Sequence, residues 1–234
     1  MCGRFAFYSP REAVQAVFGV ECGFDLEPRY NIAPTQLVAA IRADADGNPA
    51  VVPLRWGLVP FWAKDSAIGN RMINARAETL SAKPAFRNAW RKRRCVILAS
   101  GFFEWRAGAA PSESRPGASK PAGKTPYFIA RPDQQPIGFA GLWERWDKGE
   151  TPLETCTIIT TTANRHLRDI HDRMPVILPP DALRVWLDPG QAPEALEPLL
   201  QPASEDLLAF REVSRAVNNP ARDDPELIAA VARP

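Results

Sequence analysis

The sequence predicts a strand-dominated α+β fold in a single domain. Three observations carry this. Short apolar or alternating segments recur along the chain, separated by turn signals. The regular strand–helix alternation of a parallel sheet is missing. And 234 residues suffice for one domain with a sizeable core, or at most two small ones.

Taken in order, residues 4–8 read as a short strand leading into a helix over 10–18, with Pro10 early in its first turn. Residues 38–42 and 50–58 are strand-like and flank Asp46-Gly47-Asn48, a hairpin signal. Residues 72–79 read as a strand and 85–92 as a helix. Further strands are expected over 95–99, 102–106, 126–130, 137–146 and 155–162. Short helices follow at 181–187 and 193–200, and residues 213–217 read as a final strand. The stretch 107–124 is rich in Pro, Gly, Ser, Ala and Lys, a composition that cannot pack a core. It lies between two strand-like runs, so it reads as a flexible insertion within one domain spanning 1–234.

Composition narrows the function classes. Apolar residues make up 45% and charged residues 24%, the balance of a globular protein rather than a disordered or fibrous one. No apolar run approaches the ~20 residues needed to span a bilayer, and no signal peptide is visible, so a cytoplasmic location without membrane contact is expected. The four cysteines (Cys2, Cys22, Cys95, Cys156) form no C-x-x-C pair, and His166 and His171 stand five apart, which suits no common helical metal pair. No metal and no organic cofactor is expected. The net charge of +2 permits a nucleic-acid partner only where the positive charge is clustered.

Four segments can carry chemistry. Cys2, once Met1 is removed, would offer an α-amine (reference pKa ~7.7–8.0) beside a thiol. The pair can close a five-membered thiazolidine on an aldehyde. Asn74-Ala75-Arg76-Ala77-Glu78-Thr79, as a strand, puts Asn74, Arg76 and Glu78 on one face, which reads as a site floor or as a solvated outer face. Glu104, flanked by Phe103 and Trp105, would have its pKa raised by burial, which suits an acid or base. The other reading is a structural salt bridge to an arginine. His171-Asp172-Arg173 joins a side chain that titrates near neutrality, an orienting carboxylate and an anion-binding cation, or else is a satisfied structural cluster. The aromatic run Arg55-Trp56-Gly57-Leu58-Val59-Pro60-Phe61-Trp62, with Arg76, Arg87 and Arg91-Lys92-Arg93-Arg94, supplies the rings and cations that single-stranded DNA binding uses.

The ordered set of motifs resembles the SRAP family, the SOS response associated peptidases that crosslink to abasic DNA. The matching segments are Met1-Cys2-Gly3-Arg4-Phe5, Arg29 to Thr35, Arg55-Trp56-Gly57-Leu58, Asn74 to Thr79, Arg94-Cys95 through Gly101-Phe102-Phe103-Glu104-Trp105, His171-Asp172-Arg173-Met174-Pro175, and Val213-Ser214 through Val217-Asn218. Each is weak alone. Together they cover nearly the whole chain in the family's order.

The resemblance implies mixed and antiparallel sheets curled into a barrel-like core with short flanking helices. It implies that Cys2 bonds to the ring-opened abasic sugar, that Asn74 binds the reacting region, that Glu104 acts as acid or base, and that His171 assists imine and elimination chemistry. Arg4, Arg76 and Arg173 would hold phosphates and Trp62 would wedge where single strand meets duplex. Asn31, Pro34, Trp56 and Arg87 complete the expected DNA-contacting set. The partner would be single-stranded DNA with abasic sites, including single-strand/duplex junctions, bound by a monomer and nucleoid-associated when on DNA. Abasic-site lyase activity and self-removal of Met1 are also implied. Two alternatives stay open: an N-terminal-cysteine glutamine amidotransferase-type hydrolase, and a non-catalytic single-strand-binding module. A peptidase acting on other proteins is a further one.

Overall fold

The computed structural model describes residues 2–108 and 123–231. Its strands are β1 (Phe5–Phe7), β2 (Arg29–Ile32), β3 (Leu37–Ala43), β4 (Pro49–Trp56), β5 (Asn74–Arg76), β6 (Arg94–Ala99), β7 (Gly101–Arg106), β8 (Thr125–Ala130), β9 (Ile137–Trp146), β10 (Leu153–Thr162), β11 (Arg173–Pro175), β12 (Ile177–Leu178) and β13 (Ala209–Glu212). The helices are short: α1 (Arg11–Phe18), α2 (Arg87–Lys92), α3 (Arg165–Arg168), α4 (Leu183–Leu187) and α5 (Pro193–Leu196).

Five strands close a barrel in the order β10-β4-β3-β6-β9, because β9 pairs with β10 as well as with β6. The β3–β4 hairpin turns at Asp46-Gly47-Asn48 as its sequence predicts, with Gly47 at φ 85°. Pairing around the ring is antiparallel except between β4 and β10, which run parallel at Arg55–Trp56. Every residue of β6 is buried, so the strand reads as a continuous apolar run rather than an alternating one. Ile41, Leu54, Ile97, Leu142 and Ile158 are fully buried, each worth about 1.5–3 kcal/mol.

The far end of β10 leaves the barrel and positions the site. There it pairs with β5 over Ile158–Thr160 and with β11 over Thr160–Thr162. Val176 bridges the gap where β9 and β10 part: its N–H donates to Ile159 O and its carbonyl accepts from Ala140 N, both at 2.9 Å. A second, antiparallel sheet, β13-β8-β7-β1-β2, packs alongside. Phe5 joins the two layers, edge-on to Trp56 (centroids 5.1 Å) and to Phe139 (5.9 Å).

Several expectations change at their ends. The strand expected over 72–79 stops at Arg76, where its pairing with β10 ends, and Ala77–Thr79 forms a 3₁₀ turn. Thus Glu78 does not continue the strand face of Asn74 and Arg76. The final strand is β13, not 213–217. Ser214 Oγ accepts from Ala216 N (3.2 Å) and starts a 3₁₀ turn at Arg215–Asn218, while Val213 makes only an isolated bridge to Ala230. The helix expected over 193–200 is α5 followed by a 3₁₀ turn, Glu197–Leu200, which carries Pro198, a residue without the N–H that α-helical pairing needs. Neither β2 nor α3 was among the expected elements. The insertion at 107–124 lies outside the described residues but for two at each end. Among the described residues no helix is long and apolar enough to cross a membrane.

Candidate functional site

Cys2 enters β1 fully buried. Its carbonyl accepts from Asn74 Nδ2 at 2.8 Å, and Asn74 is fixed in turn by the register Ile158↔Asn74 between β10 and β5. The other amide atom, Asn74 Oδ1, is buried without a hydrogen-bond partner among the described residues. A buried orphan acceptor costs about 1–3 kcal/mol, so this one is a standing acceptor for a donor beside Cys2. The Arg4 backbone N–H is aimed at the thiol, and β7 holds Arg4 through Phe103 N–H to Arg4 O (2.9 Å). Burial, with the charge of nearby Glu104 second, pushes the Cys2 thiol well above the ordinary range. The resting thiol is neutral.

Glu104 sits on β7 opposite Tyr127 of β8, with 3% of its surface exposed. Burial pushes its carboxyl above the usual range, against a lowering pull from His171. The carboxyl therefore keeps its proton to higher pH than a surface glutamate does. His171 follows α3, whose N-cap Asn164 accepts from Leu167 N (3.0 Å). Two groups lie 3.0 Å from His171 Nδ1: the Arg173 N–H and Asp172 Oδ1. One nitrogen cannot both accept from the first and donate to the second. The backbone contact is fixed by the chain, whereas the Asp172 side chain is 85% exposed, so Nδ1 is the acceptor and Nε2 bears the proton of the neutral ring. Glu104 and His171 share a cavity of about 510 Å³ with Trp105, Gly123, Lys124, Arg215 and Asn218. Cys2, Asn74, Glu104 and His171 are thus gathered from four separate stretches of chain.

The cations divide into two kinds. Arg4 Nη1 donates to Asn31 Oδ1 (2.7 Å) and Val217 O (2.9 Å). Arg173 grips Glu78 with both terminal nitrogens (2.6 and 3.0 Å) and donates to Thr160 O (2.5 Å). That contact holds the Glu78 carboxyl below the usual range. Arg76 and Arg87, by contrast, are exposed and form no ion pair among the described residues. Asn31 is fully buried, its Nδ2 donating to the carbonyls of Asn219 (3.0 Å) and Arg222 (2.7 Å), so it clasps the C-terminal segment from within.

The aromatics divide in the same way. Trp56 is fully buried, with Nε1 donating to Ile73 O (2.9 Å), so its ring is not on the surface. Pro34 is half-buried. Phe61 and Trp62 are 50% and 43% exposed, on a loop whose carbonyl at Trp62 accepts from Lys148 Nζ (2.9 Å). Gly57 makes that loop possible: its φ is +127°, and a Cβ there would lie 2.6 Å from Gly69 O.

Sequence reasoning assigned no role to Trp105, Lys124, Arg215 or Asn218. Three fall inside segments that carried the family resemblance; Lys124 had no signal. Trp105 Nε1 donates to Asn218 Oδ1 (2.8 Å), which fixes one wall of the cavity.

Residues 1–220 match the family described as SOS response associated peptidase (SRAP). The abasic site processing protein YoqW of Bacillus subtilis is 42% identical over 233 residues, 97% of this chain and 99% of that protein. The abasic site processing protein YedK of Escherichia coli is 34% identical, with 99% of this chain and 100% of that protein covered. A solved structure of a Bacteroides thetaiotaomicron protein superposes with a TM-score of 0.81 at 27% identity, over 99% of this chain and 100% of the other.

Proposed function

Starting from the premise that the chain belongs to the SOS response associated peptidase (SRAP) family, we propose that it processes abasic sites by covalent capture on Cys2 in single-stranded DNA. The single observation that supports this best is the setting of Cys2: buried, its carbonyl on Asn74, beside a carboxyl whose pKa is raised. YoqW and YedK carry the name abasic site processing protein, and this chain matches each over essentially its whole length.

In the proposed reaction, Met1 is removed first and Cys2 gains a free α-amine. Asn74 Oδ1 accepts a hydrogen bond from that amine and turns its lone pair toward the substrate. The abasic sugar opens when its C1′–O4′ bond breaks: protonated Glu104 supplies the proton to O4′, and the C1′ hydroxyl gives up its own proton, through solvent, to the Glu104 carboxylate so formed as the C1′ aldehyde appears. The amine adds to the C1′ aldehyde and water leaves, giving an imine. The Cys2 sulfur then adds to the imine carbon, and the thiol proton passes to nitrogen. The product is a thiazolidine, formed with net loss of one water. A thiol kept neutral by burial suits this order, because sulfur acts only after the imine exists and carries its own proton to the ring. Where the ring does not close, the imine acidifies C2′ and allows β-elimination of the 3′ phosphate, a lyase outcome. His171 Nε2–H is the donor proposed for the carbinolamine and elimination steps.

A denaturing gel tests the reading. Protein is mixed with a single-stranded oligonucleotide carrying one abasic site. A heat-stable shifted band that needs both the lesion and Cys2 is the expected result. Equal recovery of reversible binding only, with Cys2→Ala unchanged, overturns it.

A further inference from the structure

We infer that Lys124 and Arg215 form a phosphate-binding subsite on the wall of the Glu104–His171 cavity, one that takes a backbone phosphodiester beside the lesion. The inference rests on the proposed function and adds to it the residues that hold the strand at the reacting centre.

Both side chains line the cavity with Glu104 and His171. Arg215 is exposed and donates from Nη2 to Gly123 O (3.1 Å), a contact that orients the guanidinium without neutralising it. Lys124 is exposed, and neither cation has an ion pair among the described residues. Arg215 opens the 3₁₀ turn that Ser214 caps, and Asn218 at its end pins the Trp105 indole, so turn and wall are set together. The charge balance of the cavity favours an anion. Its lining carries two cations, Lys124 and Arg215, against one carboxyl, Glu104, whose pKa burial raises.

Arg4 and Arg173 make the contrast. Arg173 already closes on the Glu78 carboxylate with both terminal nitrogens, and Arg4 is engaged by Asn31 and Val217. A phosphate would have to displace those partners. At Lys124 and Arg215 it displaces no ion-pair partner among the described residues. A guanidinium and an ammonium together match one phosphodiester well, the fork fixing direction and the ammonium adding point charge.

The test is a salt titration. Binding of a single-stranded oligonucleotide carrying a tetrahydrofuran abasic analogue, which offers no aldehyde, is followed by fluorescence anisotropy across salt concentrations. Each phosphate contact contributes a slope of about 0.7 for single strands. The Lys124→Ala/Arg215→Ala double variant is expected to bind more weakly and to lose about 0.7 from the slope of log affinity against log salt, the contribution of one phosphate. The exchange Arg215→Lys should retain most of the slope, and Arg184→Ala, on α4, should behave as wild type. Unchanged thermal unfolding separates these results from misfolding. A double variant with the wild-type slope overturns the subsite even where the wild type still crosslinks to an abasic oligonucleotide. A wild type that neither binds nor crosslinks overturns the underlying reading, and the subsite with it.

Discussion

The barrel and the site each hold buried cysteines, and comparing them shows what sets Cys2 apart. Cys95 on β6 and Cys156 on β10 are fully buried in the barrel, and burial pushes both thiols well above the ordinary range. Cys2 is just as buried and its thiol is pushed up for the same first reason. Thiol acidity therefore does not distinguish the three. What differs is the surroundings. The barrel cysteines sit among apolar strands, whereas Cys2 has a carboxamide on its carbonyl and a protonatable carboxyl beside it. Low thiol pKa is one route to a reactive cysteine. Here the polar neighbours and the proposed free amine take that place.

The sharpest way to break the comparison is to exchange the cysteines one at a time. Cys2→Ala should abolish the covalent band on an abasic oligonucleotide, whereas Cys95→Ala and Cys156→Ala should retain it. A band surviving Cys2→Ala would erase the distinction.

Next in size is the tryptophan that joins the two layers. Trp56 fills the contact with Phe5 and satisfies its Nε1 on Ile73 O. Trp56→Ala should cost about 3–5 kcal/mol in urea unfolding, the range for deleting a buried large aromatic. A loss under 1 kcal/mol would mean the ring is not part of the core.

Glu104→Gln should slow crosslinking by about 10²–10⁴-fold, the range for losing a general acid. It should also change the pH profile in a definite direction. The Glu104 pKa is raised, so the proton-donating form disappears as pH rises through that elevated value, and the wild-type rate falls there. In Glu104→Gln this limb should vanish. Stability carries the same sign. A carboxyl whose folded pKa exceeds its unfolded value contributes stability fully below the unfolded pKa, and that contribution is lost as pH rises through the folded one. Thermal scans across that window should show a smaller decline for Glu104→Gln than for wild type.

The smallest effect belongs to the surface. Trp62→Ala should leave stability within about 0.5 kcal/mol while weakening single-strand binding by about 1–3 kcal/mol, the value of one stacked base. Equal binding would remove Trp62 from the interface.

The barrel's strands were legible because β6 is a continuous apolar run and the β3–β4 hairpin carries a Gly at the position that needs positive φ, while the barrel itself was expected only from the family resemblance. Its closure was not legible: the parallel β4–β10 pairing joins residues about a hundred apart and leaves no local pattern. The site was half legible. Glu104 between aromatics announced burial, and burial does raise its pKa. The pairing of Arg173 with Glu78, 95 residues away, had no sequence signal, so a locked arginine and the exposed Arg76 read alike. Trp56 and Trp62 stand six apart in one aromatic run, yet one is core and the other surface. The turn at Gly57 separates them, and its cause is the close approach of Gly69, which the sequence does not state.

The most direct test of the central claim is mass spectrometry of the crosslinked protein after proteolysis. The account predicts an N-terminal peptide beginning at Cys2, without Met1, carrying the sugar remnant at the mass expected for loss of one water. An adduct on any other residue, or an adduct on a chain that still carries Met1, would contradict it.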